Sequence, residues 1–248
     1  MVGILSDVGN YRSINEDSVG YYKDENIGVY VIADGMGGHN AGEVASKLAV
    51  DTIIDYFKNA KDIESIRDEI EKSIIYANEK IYNLSKKEDG LNGMGTTVTA
   101  SIIKNNKMVV ANVGDSSCYI INLQNEIIKV TKDHSLVQQL VDNGSITEEE
   151  AVSHPNKNII TRALGTNSFV QVDTFELELA NVKKIILCTD GLTNDISPQE
   201  MCDIIIKNSN KESCKLLIDM SKRNGGRDNI SVIVFEGECK DDRYFTRK

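Results

Sequence analysis

Apolar residues recur along this chain with two different spacings, and the switches between them mark out hairpins and helices. Val29 to Ala33 is an unbroken apolar, β-branched and aromatic run, the signature of a buried strand. Ser18 to Tyr22 precedes it, with the polar Lys23-Asp-Glu-Asn26 between them, so a hairpin is expected. Centring its turn between Asp24 and Glu25 pairs positions whose numbers sum to about 49–51, which sets Asp17 beside Ala33 and Asp34. From Asn40 the spacing becomes helical. Asn40 and Glu43 read as a capping box, and Ala45, Leu48, Ala49, Thr52, Ile53, Tyr56 and Phe57 share one face. A second helix is expected from near Asp62, its stripe running from Ile63 through Ile70, Ile74 and Ile81 to Leu84. Two long helices after a hairpin imply a helical layer laid across a sheet.

Strands are expected at 96–103 and 107–113 about Asn105-Asn106, pairing numbers that sum to about 211 and setting Asp115 opposite Thr96. Cys118–Leu123 and Glu126–Val130 continue the pattern. Asp133 to Asp142 is helical, ended by Asn143-Gly144, and Thr147 with Glu150 caps a further turn. The irregular stretch through His154 to Arg162 makes 142–166 either a flap shaping an entrance or a surface excursion. Phe169 to Leu179 alternates as a strand, and Lys183 to Cys188 is a strand leading into Thr189-Asp190-Gly191. Ser197-Pro198 with Glu200 starts a helix, another helix lies around Ser213 to Met220, and Ile230 to Phe235 is the last strand. If that strand runs antiparallel beside 184–188, Asp190 and Asp228 share one sheet end.

Composition narrows the class. With 248 residues, 40% hydrophobic, 27% charged and only two prolines, the chain reads as one domain over 1–240, with a short charged tail at 241–248. A net charge of −10 without a Lys/Arg stripe argues against nucleic acid as a partner. The first ten residues lack the features of a signal peptide, and no apolar run approaches a membrane span. Five cysteines without a C-x-x-C pair suit reduced thiols in a cytoplasmic protein.

The candidate chemistry is carboxylate chemistry. Strands deliver Asp34, Asp115 and Asp190 to glycine-flanked turns, with Glu16 and Asp17 beside the first and Asp228 just before the last strand. Carboxylates that converge must share a proton or a cation. Gly35 and Gly37 let backbone carbonyls approach closely. Oxygen-only ligands and the absence of Cys/His spacing select Mg²⁺ or Mn²⁺ over zinc, and several carboxylates suit two ions about 3.5–4 Å apart that activate a bridging water. Arg12 can hold phosphate oxygens in pairs, or simply pair with Glu16 or Asp17 at the surface.

These positions carry a family pattern. Arg12-x-x-Asn15-Glu16-Asp17, Asp34-Gly-Met-Gly-Gly-His39, Gly42-Glu-Val-Ala-Ser46, Gly95-Thr-Thr97, Val113-Gly-Asp115-Ser116, Asp133-His-Ser135, Thr161-Arg-Ala-Leu-Gly165, Thr189-Asp-Gly191 and Arg227-Asp-Asn-Ile230 resemble the PP2C (PPM) family of metal-dependent serine/threonine phosphatases, in particular its small bacterial members. The resemblance spans nearly the whole chain. It implies an α+β fold, a four-layer α/β/β/α sandwich of two antiparallel sheets flanked by helices, with 142–166 as the family's flap. It implies that Asp34 bridges two Mn²⁺ or Mg²⁺ ions, the Gly35 carbonyl completes the first site, and Asp190 and Asp228 ligate the second. Glu16 and Asp17 would act largely through water, Asp115 with Asp190 would form a third, weaker site, and Arg12 would hold phosphate. The implied activity is hydrolysis of phosphoserine and phosphothreonine in proteins, opposing a bacterial-type Ser/Thr kinase, by a protein expected as a monomer. A catalytically silent phosphoprotein-binding module and a calcium-binding domain are the alternatives. Two positions depart from the pattern. Met36 stands where many eukaryotic members carry a histidine proposed as general acid, and Ser117 stands where an arginine is usual. His39 reads as either a helix cap or a chemical group, His134 as a brace for the loop after it, and Arg162, near the flap, as a structural ion pair ahead of a substrate contact.

Overall fold

The computed structural model describes residues 2–37, 41–60, 62–152 and 154–237. Its elements in chain order are β1 (Gly3–Asp7), β2 (Asp17–Lys23), β3 (Gly28–Met36), α1 (Ala41–Asn59), α2 (Ile66–Lys87), β4 (Gly95–Thr96), β5 (Val98–Lys104), β6 (Lys107–Val113), β7 (Ser117–Asn122), β8 (Ile127–Lys129), α3 (Leu136–Asp142), α4 (Glu148–Val152), β9 (Asp173–Glu178), β10 (Val182–Cys188), α5 (Asp190–Thr193), α6 (Pro198–Ile205), α7 (Asn210–Asn224) and β11 (Ile230–Phe235). One sheet has the order β1-β11-β10-β7-β8 and the other β2-β3-β5-β6-β9, with the short β4 also on β3. The named strand pairs are all antiparallel.

The unbroken apolar run of β3 has a layered cause. Val29, Val31 and Ala33 turn to α1 and α2, packing with Ala45, Ile53, Phe57 and Ile74. Tyr30 and Ile32 turn to the other sheet, where they meet Ile120, Ile185, Leu187 and Phe235. The rings of Tyr30 and Phe235 stack at 3.7 Å between centroids. Across the far face, Ile186, Cys188 and Val232 pack on Met201, Ile205 and Leu217 of α6 and α7. A strand with both faces covered has no polar side to alternate with. Each such side chain contributes about 1.5–3 kcal/mol by leaving water. The four-layer sandwich of two antiparallel sheets flanked by helices is the observed arrangement.

Registers follow the expected sums. Asp17 pairs with Asp34 across β2 and β3, Val98 with Val113 across β5 and β6, and β10 with β11 from Ile185↔Phe235 to Cys188↔Val232. Several boundaries differ. Helix α2 begins at Ile66 because Ser65 caps it, accepting from the Asp68 amide at 3.2 Å, and Ile63 packs from the preceding loop. Helix α3 begins at Leu136, capped by Ser135, α7 begins at Asn210 behind Ser209, and β9 is shorter than the alternation suggested, leaving Phe169 exposed. The β5/β6 ladder stops at Val98↔Val113, so Asp115 does not stand opposite Thr96. The chain turns at Gly114 (φ +109°) and Thr96 pairs with Gly35 instead. Strand β1 was not expected at all. Cys118, Cys188, Cys202 and Cys214 are free, buried thiols; His39, Asn40, Cys239 and the 241–248 tail lie outside the described residues. Among the described residues no helix is long and apolar enough to cross a membrane.

Candidate active site

The β2/β3 hairpin places Asp17 and Asp34 side by side, and the backbone around Asp34 is held on every side. Its amide donates to the Thr97 hydroxyl (2.9 Å), and its carbonyl accepts from the Thr97 amide and the Thr96 hydroxyl, each at 2.8 Å. The Gly35 amide donates to the Glu16 carbonyl at 3.1 Å, which also accepts from the Ser46 hydroxyl at 2.5 Å. Gly35 and Gly42 meet backbone to backbone here: a Cβ on Gly35 would lie 2.1 Å from the Gly42 carbonyl oxygen.

The other sheet contributes the ends of β10 and β11. The Thr189 hydroxyl donates to Asp17 Oδ2 at 2.9 Å and accepts from the Ser231 amide at 3.0 Å, tying the two sheets together beneath the carboxylates. Asn229 does similar work for the N-terminal segment. Its side chain accepts from the Glu16 amide (2.8 Å) and donates to the Val8 and Ile14 carbonyls (3.1 and 2.9 Å). Neither Thr189 nor Asn229 had a role assigned from sequence. Their only signal was membership of the motifs 189–191 and 227–230.

Above these groups opens a cleft of about 260 Å³ lined by Arg12, Glu16, Asp34, Gly35, Asp115, Asp190 and Asp228, with Met36 at its wall. Asp17 is buried beside it. Every site residue expected from the sequence is therefore gathered at one place. Two larger clefts, about 350 and 470 Å³, lie elsewhere. Several of their acidic groups are already matched, Glu176 with Arg67, Glu69 with Lys72 and Tyr56, and Asp55 with Lys58.

The carboxylates of the site are matched only in part. One oxygen each of Asp17, Asp115 and Asp190 is buried with no hydrogen-bond partner among the described residues, a costly state that a cation or water at the site would relieve. Burial lifts the Asp17 carboxyl to about 7, against hydrogen bonds from Ser231 and Thr189. Burial and the charge of Asp190 lift Asp115 to about 7. Asp34 is raised well above its ordinary value by burial and then by Asp17 and Asp190, and Asp190 by burial and then Asp228. Asp34 lies within hydrogen-bonding reach of Asp190, a contact that exists only while a proton sits between the carboxyls. Arg12 pairs with Asp228 at 2.9 Å, its side chain half exposed at the mouth.

This donor set fits hard divalent cations. Among the described residues no three His, Cys, Asp or Glu side chains form a ready-made cage for one ion, so an ion here takes part of its shell from carbonyl oxygen and water, as Mg²⁺ and Mn²⁺ do. The remaining sequence expectations find their places. His134 Nδ1 accepts from the Gly114 amide (3.0 Å) and its Nε2 faces Asp173 (3.1 Å), bracing the turn before Asp115. Arg162 pairs with Asp173 at 2.6 Å. Ser117 gives Asp115 no counter-charge; Lys129, bound to Asp133 at 2.7 Å, is the nearby cation that favours its ionised form.

A pH effect follows from these raised values. Asp17 and Asp115 bind their protons more tightly folded than unfolded, so their stabilisation is complete below about pH 4 and is lost as pH rises through about 7. In chelator, the melting temperature is expected to fall by several degrees between about pH 5 and pH 8, and millimolar Mn²⁺ to remove most of that fall. His134, whose pKa burial lowers, acts in the opposite direction but equally in both samples. Parallel melting curves with and without Mn²⁺ across this range would contradict the carboxylate cluster as the metal's seat.

Comparison with known proteins places this geometry. Residues 11–221 match the family model described as protein phosphatase 2C. The chain is 41% identical over 236 residues to the serine/threonine phosphatase stp of Listeria welshimeri, covering 93% of each chain. The crystal structure of the serine/threonine phosphatase Stp1 from Staphylococcus aureus superposes with a TM-score of 0.90 at 34% identity, covering 95% of this chain and 94% of that one. The catalytic domain of the phosphatase PstP, solved in complex with two manganese ions, superposes at 0.82 and 33% identity, covering 94% and 96%.

Proposed function

Because the chain belongs to the protein phosphatase 2C family, we propose how its own residues carry out that family's reaction. The protein is a metal-dependent serine/threonine phosphatase acting on phosphoproteins. The observation that carries the assignment of roles is the convergence of Asp34 from one sheet with Asp190 and Asp228 from the other on a cleft of unmatched carboxylate oxygens.

Asp34, with the Gly35 carbonyl, Asp190 and Asp228, would hold two ions, taken as Mn²⁺ or Mg²⁺; the two manganese ions of the PstP complex support the number. Glu16 and Asp17 would act through water, and Asp115 with Asp190 would provide a third, weaker position. Such ions acidify water and neutralise the charge of a phosphate that this acidic surface otherwise repels. The chain's own work is positioning. Thr96 and Thr97 fix the backbone of Asp34, Thr189 holds the Asp17 carboxylate, and Asn229 keeps Glu16 in register with Asp228. Arg12, half exposed and paired with Asp228, exchanges that partner for two phosphate oxygens of the substrate. Met36 offers no proton to the leaving group. The reading includes opposition to a Ser/Thr kinase, since the products of such a kinase carry the groups that this site accepts.

The test is hydrolysis of a phosphothreonine peptide with Mn²⁺, with Ca²⁺ and after chelation. Turnover is expected with Mn²⁺, to vanish on chelation and to return on re-addition. Arg12→Ala is expected to raise KM about tenfold with a smaller loss of kcat. Turnover surviving complete chelation would overturn the metal assignment, and an unchanged KM would remove Arg12 from phosphate binding.

A further inference from the structure

A second cleft of about 340 Å³ adjoins the first, and Asp228 and Asn158 line both. Its walls carry two cations from separate segments, Lys157 from the 142–166 stretch and Arg227 from the loop before β11. Asp195 and Asp228 line it as well, each already holding hydrogen-bond donors. Asp195 accepts from the Ser221 hydroxyl (2.8 Å) and the Gly226 amide (2.9 Å), and Asp228 pairs with Arg12. The Lys157 ammonium donates to the neutral Asn194 Oδ1 at 2.9 Å, and Asn194 Nδ2 donates onward to Asp190 Oδ2 at 3.1 Å. Neither Lys157 nor Arg227 has a carboxylate partner among the described residues, whereas Arg162, Lys129, Lys132 and Lys222 all do. In a protein of net charge −10, two cations that face one cleft without a bound carboxylate leave donors free for an incoming anion, with a guanidinium suited to carboxylate or phosphate.

The geometry points to a specificity subsite in which Lys157 and Arg227 take an anionic side chain of the substrate, a carboxylate or a second phosphate, one or two residues from the phosphorylated residue. The inference rests on the phosphatase reading. The spacing follows from the shared wall, because an extended peptide advances about 3.3–3.6 Å per residue and passes from one cleft to the next in one or two steps. Two partly exposed ion pairs add a modest discrimination, about tenfold in kcat/KM, that weakens with salt.

Phosphothreonine peptides carrying Glu, phosphoserine or Ala at the two positions on either side test it, with para-nitrophenyl phosphate as a flankless control under Mn²⁺. The wild-type protein is expected to favour a Glu or phosphoserine peptide over the Ala peptide about tenfold, less so at high salt. Lys157→Ala and Arg227→Ala are expected to erase most of that preference while leaving aryl phosphate hydrolysis within about twofold. Arg227→Glu should turn the preference toward Lys-flanked peptides. Glu and phosphoserine arms separate a carboxylate receptor from one that needs phosphate. Equal wild-type rates on all flanks, or equal losses by the variants on every substrate including the aryl phosphate, would overturn the subsite. Absence of Mn²⁺-dependent aryl phosphate hydrolysis in the wild type would instead strike the phosphatase reading.

Discussion

Asp34→Ala is expected to lose metal-dependent turnover by about a thousandfold or more while keeping its fold. The loss follows from position. Asp34 is the carboxylate that faces both Asp17 of its own sheet and Asp190 of the other, so under the proposed shared-ligand role its removal takes counter-charge from the charge developing on phosphorus. The retention of fold follows from the pKa. A carboxyl held far above its ordinary value by burial and like charges opposes folding at neutral pH, so its removal leaves the melting temperature in chelator unchanged or higher. Circular dichroism, a melting curve and turnover of a phosphothreonine peptide on one preparation decide the matter. A variant keeping a tenth of the activity or more means that Asp34 is not shared between ions. Asp190→Ala is expected to behave in the same way.

Gly35→Ala is expected to fail by another route. Its methyl group would sit 2.1 Å from the Gly42 carbonyl oxygen and 2.5 Å from that of Glu16, both of them backbone atoms tied down by hydrogen bonds. Neither can yield without moving β2 or α1. The cost is about 3 kcal/mol or more, a fall of about 6–12 °C in melting temperature, and activity is lost with it because the same strands carry Asp17 and Asp34. Gly90→Ala, where the added methyl meets nothing within 4 Å, is the control expected to melt like the wild type. A stable, fully active Gly35→Ala protein would show that the close approach of these three segments is unnecessary.

The site was legible in the sequence wherever geometry is local. The turn at Asp24–Asn26 determines the pairing of Asp17 with Asp34 by counting alone, and Ser197-Pro198-x-Glu200 forms the capping box that its residue types require. The approach of Asp190 to Asp228 needed one assumption, that β11 runs antiparallel to β10, and the assumption holds. What escaped was long-range. Gly3–Asp7 has too little apolar pattern to read as a strand; it exists because β11, more than 220 residues away in sequence, offers it a ladder from Gly3↔Val234 to Asp7↔Ile230. Helix α2 starts later than its stripe of isoleucines because the cap, Ser65, decides where backbone bonding begins. Thr189 and Asn229 act through hydrogen bonds to chain segments 172 and 213 residues distant, and nothing in their neighbours forecasts those partners.

The strand order of the first sheet carries a consequence for biogenesis. Strand β11 lies between β1 and β10, so a nascent chain released as far as residue 225 has its first strand waiting without a ladder and its half-built sheet open along one side. Pairings of such high sequence separation form late. The ribosome must deliver the final strand before the sheet closes and before Asp228 reaches the other carboxylates. Emerging chains are therefore expected to be silent toward phosphoproteins, and a stop codon before β11 is expected to yield an inactive, protease-sensitive fragment instead of a weakened enzyme.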